Sequence, residues 1–185
     1  MTTSHYEDLE YTKGSRIMPW NPPHQMKVYY YLVDGLLIDT GPANLAHVAE
    51  PFFESRNIKQ VVLTHIHEDH AGMAKWLQEN KKLPVYLHRE LLPEALEEPQ
   101  LAQYRLDIWG RRRAFSGFPL PDSFETEKYR FEVVDTPGHC PYHKAFLLKE
   151  KGWLFSGDLV TVLKPTAVFR EENLSHMIAS LEKVL

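Results

Sequence analysis

The stretch VVLTHIHEDHAG, residues 61–72, constrains this chain more than any other. An apolar, β-branched run stops and is followed within six positions by His65, His67, Glu68, Asp69 and His70. In an extended segment residues two apart point the same way, so His65 and His67 face one point. A turn after Glu68 sets Asp69 and His70 at the entrance to a helix, facing a second point beside the first. Imidazole and carboxylate are common ligands of zinc and iron. Two ions about 3.5–4 Å apart share a bridging hydroxide that is nucleophilic at neutral pH. The plain alternative is a solvated polar loop between a strand and a helix.

The flanking sequence alternates strand and helix patterns. VYYYLVDGLLIDTG (28–41) reads as a hairpin turning at Asp34-Gly35, a strong two-residue turn signal. Helical spacing follows over 44–57, with Pro51 expected to kink or split it. A buried strand is predicted at 58–64, a short helix at 71–80, a strand at 83–88 and a helix from Arg89. Residues 99–126 are irregular, mixing aromatics, three consecutive arginines and several prolines. A strand at 129–139, a hairpin at 144–158 and an amphipathic helix with Leu174, Met177, Ile178, Leu181 and Val184/Leu185 on one face complete the chain. The class is mixed α and β in a single domain over 1–185, with buried sheets. Three strands end in turns carrying histidine or aspartate, at 64–70, 136–139 and 156–158, where rigid scaffolds usually carry their sites.

Other histidine chemistries fail on this chain. A zincin needs H-E-x-x-H, and Ala71 stands where its second histidine belongs. A single cysteine, Cys140, excludes an intrachain disulfide, a Cys-rich zinc site and the P-C-x-x-C partner of a zinc deaminase.

THIHEDHAG resembles the H-x-H-x-D-H signature of the metallo-β-lactamase superfamily. IDTGP (38–42), TPGHCPYH (136–143) and FSGDL (155–159) resemble its other markers, in the family's order. The likeness runs over roughly residues 28 to 180, and the four motifs together are highly specific. It implies a four-layer αββα sandwich with a metal site at one edge of its two sheets. It further implies that His65, His67 and His139 bind a first metal, that Asp69 and His70 bind a second, and that Asp158 bridges them. Asp39 would orient the ligand loop from behind. Read without the family, Asp39, His139 and Asp158 are also ordinary turn residues.

The superfamily adds one more histidine, after a further helix and strand. Only His176 follows Asp158, in a helix where it reads as an exposed position, so the expectation is a fragment cut before its last strand. The implied activity is metal-dependent hydrolysis: a metal-bound hydroxide attacks a small ester, thioester or lactone, with Asp69 orienting the nucleophile as well as binding metal. Two zinc ions are expected, and the donor set also accepts iron or manganese. Two other readings stand beside it. One is a mononuclear iron oxidoreductase resembling the persulfide dioxygenases, on His65, His139 and Asp158. The other is a non-catalytic metal-binding domain.

Substrate contacts are expected from 99–126 as a cover over the site. Tyr104, Trp109, Phe115 and Phe118 would form an apolar wall, with Arg111, Arg112 and Arg113 available for an anion. His143 is a further candidate, as a donor behind the ligands or as a substrate contact, and reads equally well as a strand residue facing solvent. A formal charge of −4, with no long basic stripe, argues against nucleic acid as a partner. The longest apolar run, VYYYLV, is far short of the roughly 20 residues that span a bilayer. The first twenty residues contain no signal-like apolar stretch, so the expected setting is cytoplasmic, with a small molecule as substrate.

Overall fold

The computed structural model describes residues 2–6, 9–17, 25–161 and 169–185. A seven-stranded sheet takes its strands in chain order: β1 (Thr2–Tyr6), β2 (Leu9–Ile17), β3 (Gln25–Val33), β4 (Leu36–Ile38), β5 (Gln60–Val62), β6 (Val85–Leu87) and β7 (Phe118–Pro119). The pairs from β1 to β4 are antiparallel, and those from β4 to β7 are parallel. A second, antiparallel sheet has the order β11 (Trp153–Phe155), β10 (Lys144–Leu148), β9 (Arg130–Asp135), β8 (Ser123–Glu125). The turn between β3 and β4 has positive φ at both Asp34 and Gly35, the backbone that the right-handed twist of a hairpin demands.

Burial follows the two-residue period of the strands. Leu37, Val61, Leu63, Val85 and Leu87 face one core, shared with Phe52, Phe53, Ala74 and Leu77 from the helices α1 (Ala46–Ser55) and α3 (Ala74–Lys81). Leu36, Ile38 and Val62 face the other way, into a second core with Phe124, Phe131, Phe146, Leu148 and Phe155 of the second sheet. Both faces of β4 are therefore covered, which is why its sequence is apolar throughout. The arrangement is a two-sheet sandwich with helices outside.

Several expectations needed correction. Pro51 lies inside α1, which runs through it as one helix. The stretch 99–126 contains a helix, α5 (Gln103–Trp109), while β7 and β8 are edge strands of the two sheets, so only part of it covers the site. The helix α6 (Leu174–Val184) turns Met177 and Ser180 inward and leaves Leu174 and Ile178 exposed. Ser180 Oγ donates to Pro137 O at 2.7 Å, which rotates the buried face away from the apolar stripe. Among the described residues no helix is long and apolar enough to cross a membrane.

Candidate metal centre

The site lies where the two sheets meet at one edge. Asp39 follows β4, and Thr64 to His67 follow β5 and lead into α2 (Glu68–Ala71). His139 lies between β9 and β10, and Asp158 in a 3-10 turn after β11. The backbone permits this approach only at small residues. A Cβ on Gly72 would come within 2.6 Å of Ala43 N and 2.8 Å of Gly41 O. At Gly157, with φ of +49°, a Cβ would come within 2.6 Å of His143 Nε2 and 2.8 Å of Thr64 Cβ.

Asp39 organises the deepest part. Its carboxylate accepts from Thr64 N, Thr64 Oγ1 and His70 Nδ1, each at 2.8 Å. It does so from a left-handed backbone, φ 58°, that few residues other than glycine, asparagine and aspartate adopt readily. Turn former and orienting residue are thus one role. The Thr64 hydroxyl has one proton, and it goes to Asp39, so toward His65 Nδ1 at 3.1 Å the same oxygen can only accept. His65 is thereby fixed with its proton on Nδ1, leaving Nε2 as a lone pair, while His70 donates from Nδ1 to Asp39. His65 Nε2 is fully buried and has no protein partner, an expensive arrangement unless something else fills it.

The remaining candidates converge on that atom. His65, His67 and His139 form one set with ligand atoms within 4.8 Å of one another, and His65, His70 and Asp158 form another. His70 Nε2 lies 3.1 Å from Asp158 Oδ1 and 3.6 Å from Asp69 Oδ2. His139 Nε2 lies 3.0 Å from His67 Nδ1 and 3.5 Å from Asp158 Oδ2. Burial, then repulsion from His70, keeps the His65 imidazole uncharged well below its usual range. Burial and His139 bring His67 down to about 3. Burial opposes charge on His70 too, but Asp158, Asp39 and Asp69 outweigh it and raise its pKa. Burial lifts Asp69 to about 6, whereas at Asp158 burial is overcome by His70 and the carboxyl is held below the ordinary range. Imidazole nitrogens and carboxylate oxygens with lone pairs directed at shared points suit zinc, iron or manganese.

Beside these groups is a cavity of about 310 Å³. His67, Asp69, His139 and Asp158 form its floor, and Tyr104, Ile108, Trp109, Pro141 and Phe169 contribute an apolar wall. Of the residues expected over the site, Tyr104 and Trp109 line this cavity. The three arginines do not. Arg111 donates to Pro99 O, Arg112 is buried and caps carbonyls of Glu94, Ala95 and Glu97, and Arg113 pairs with Glu79. None lines the cavity, because each is consumed by the scaffold. Phe115 is core and Phe118 lies on the edge strand. His143 is also buried and away from the cavity: its Nε2 accepts from Asp158 N at 3.1 Å and its Nδ1 donates to Thr136 Oγ1 at 2.8 Å. It holds the Asp158 backbone rather than a substrate.

Two carboxylates have roles that the sequence does not assign. Glu68, 2% exposed, takes a forked ion pair from Arg105 on α5, with Nη2 to Oε2 at 2.9 Å, tying the covering helix to the histidine loop. Asn44 Nδ2 donates to Leu106 O and Asp107 O and secures the other end of α5. Glu172 meets His139 Nδ1 at 2.8 Å. Glu68, between two named motif positions, was the one of these with a visible signal.

Residues 26–171 match the family described as the Metallo-beta-lactamase superfamily. The chain is 25% identical over 148 residues to the probable metallo-hydrolase YqgX of Bacillus subtilis, covering 75% of this chain and 67% of that protein. It is 32% identical over 130 residues to the thioesterase pkgB of Emericella nidulans, covering 68% of this chain but only 32% of the relative. Among solved structures, TTHA1623 in a di-iron-bound form superposes with a TM-score of 0.62 at 25% identity, over 100% of this chain and 85% of that one. With the match spanning most of its length, the chain belongs to the metallo-beta-lactamase superfamily.

Proposed function

We propose that the chain is a metal-dependent hydrolase acting on a small ester, thioester or lactone, with one ion held by His65, His67 and His139, a second by Asp69 and His70, and Asp158 between them. The observation that carries this reading is the buried, unpartnered Nε2 of His65, common to both ligand clusters. When bound, the metal pair supplies a water activated at neutral pH and a positive centre that polarises the substrate carbonyl. Asp69, on the cavity floor, orients the attacking water and accepts its proton on a carboxylate oxygen. Tyr104, Ile108 and Trp109 hold the apolar part of the substrate and exclude bulk water. Relatives named as a metallo-hydrolase and a thioesterase support the reaction class, and a di-iron neighbour supports two ions. A lone iron on His65, His139 and Asp158 would leave the clustered imidazoles of His67 and His70 unused.

The test is elemental analysis of the purified chain and of Asp158→Ala, followed by thioester, lactone and ester turnover. Two ions per chain, falling in the variant, with turnover that chelation abolishes, is the expected result. One iron with sulfur-dependent oxygen uptake and no hydrolysis would overturn it.

A further inference from the structure

His139 lies in a loop and not on a strand or helix. It follows Pro137-Gly138, in the turn region between β9 and β10, with Gly138 at φ +143°. What holds this loop is α6, which runs alongside it in the opposite sense. Lys183 Nζ donates to Asp135 O at 2.6 Å, Ser180 Oγ to Pro137 O at 2.7 Å, and Asn173 N to Gly138 O at 2.7 Å. Met177 packs so closely that a Cβ on Gly138 would come within 2.5 Å of its backbone nitrogen. At the end of this row Glu172 Oε1 lies 2.8 Å from His139 Nδ1. Its other oxygen, Oε2, accepts from Phe169 N at 2.8 Å, so the carboxylate is clamped from both sides.

We propose that Glu172 is a positioning residue that fixes the tautomer and ring plane of His139, and through them the affinity of the ion that His65, His67 and His139 share. An ionised carboxylate only accepts hydrogen bonds, so the single proton of the neutral ring resides on Nδ1. The lone pair is then left on Nε2, which faces His67 and Asp158. A ligand histidine whose far nitrogen is tied to a carboxylate binds metal more tightly, and losing such a partner typically weakens affinity about 10–100-fold. Glu172 acts through His139, and α6 is what brings it there. The affinity part of this inference rests on the metal reading above, whereas the tautomer part does not.

The experiment compares the full chain with Glu172→Gln. A glutamine cannot accept from both His139 and Phe169, so either the ring proton moves to Nε2 or the Phe169 bond is lost. Nitrogen-15 NMR of the metal-free protein should find the proton of His139 on Nδ1 in the wild type. Zinc titration against a chromophoric chelator should show one of two ions weakened about 10–100-fold in the variant, with the other unchanged. A wild-type His139 protonated on Nε2 would overturn the proposal without any variant having to fold. So would wild-type affinity at both ions in a folded Glu172→Gln protein. A wild type that binds neither zinc, iron nor manganese yet has the Nδ1 proton would sink the hydrolase reading and leave the orienting role of Glu172 standing.

Discussion

Asp39→Asn tests the hydrogen-bond logic of the site with almost no change in shape. Asparagine tolerates the left-handed backbone at φ 58°, so strain does not confound the result. Its carbonyl can still accept from Thr64 N. Its amide, in place of Oδ2, would face Thr64 Oγ1 and His70 Nδ1 as a donor. The Thr64 hydroxyl then accepts, and its own proton turns to His65 Nδ1. The His65 proton is displaced to Nε2, and His70 can keep a proton only on Nε2, so in both rings the nitrogen directed into the site is blocked. Each ligand deprived of its orienting partner costs about 10–100-fold in metal affinity. Because His65 and His70 serve different ions, each ion should weaken about 10–100-fold, or ~3–5.5 kcal/mol summed over the two. In the metal-free protein the loss is smaller, about 2–3 kcal/mol, because the hydroxyl reorients and only the charge-assisted bond to His70 is forfeited. Chelator competition measures the first quantity and urea unfolding in excess chelator the second. A variant that retains metal within threefold of wild-type affinity would refute the reasoning.

Gly157→Ala should cost about 2–5 kcal/mol in urea unfolding, since the methyl group meets His143 and Thr64 at a positive φ; an unchanged midpoint would count against the packing described. Glu68→Gln should weaken the fork to Arg105 by about 1–2 kcal/mol, discounted because the guanidinium is part-exposed, and hydrogen exchange of the α5 amides should accelerate selectively. Equal rates in the two proteins would mean that Arg105 does not hold the covering helix. Burial, followed by His139, pushes His143 down to about 3, so the unfolded chain takes up a proton there below 6.5 while the folded chain does not. Its contribution is whole above that pH and is lost as pH falls toward 3. The metal-free wild type should lose stability relative to His143→Asn by about 1.4 kcal/mol per pH unit between pH 6 and 4. Parallel pH profiles would contradict a neutral His143.

Much of this architecture was legible because short-range rules and long-range packing agree. Asp34-Gly35 has the chemistry of a tight hairpin turn, and the turn is there. The histidine spacing 65, 67, 70 was readable because a strand end and the first turn of a helix direct those side chains locally. His139 and Asp158 stood out locally only as polar residues in strand-end turns, and their role as ligands came from the resemblance. What resisted reading was whatever tertiary contact alone decides. Arg111, Arg112 and Arg113 look like a free cationic run, yet the carbonyls at the end of α4 (Leu92–Ala95), Pro99 and Glu79 consume them. His143 resembles an available histidine until Thr136 and the Asp158 amide occupy both of its nitrogens. Glu172 sits in an unremarkable polar run, and its link to His139 spans 33 residues. No periodicity encodes such a pairing.

The order of strands has a consequence for assembly. Each sheet is built in chain order, so the first draws its strands from residues up to Pro119 and the second from residues 123–155. Neither candidate ligand cluster can form within one half. His65, His67 and His70 come from the first part of the chain, and His139 and Asp158 from the second, with 72 residues separating the closest pair of rings. A bound ion would therefore act as a rivet through the seam between two plates that also share a core. Its energy goes into their docking, and metal retention becomes a direct gauge of whether the halves have closed on each other.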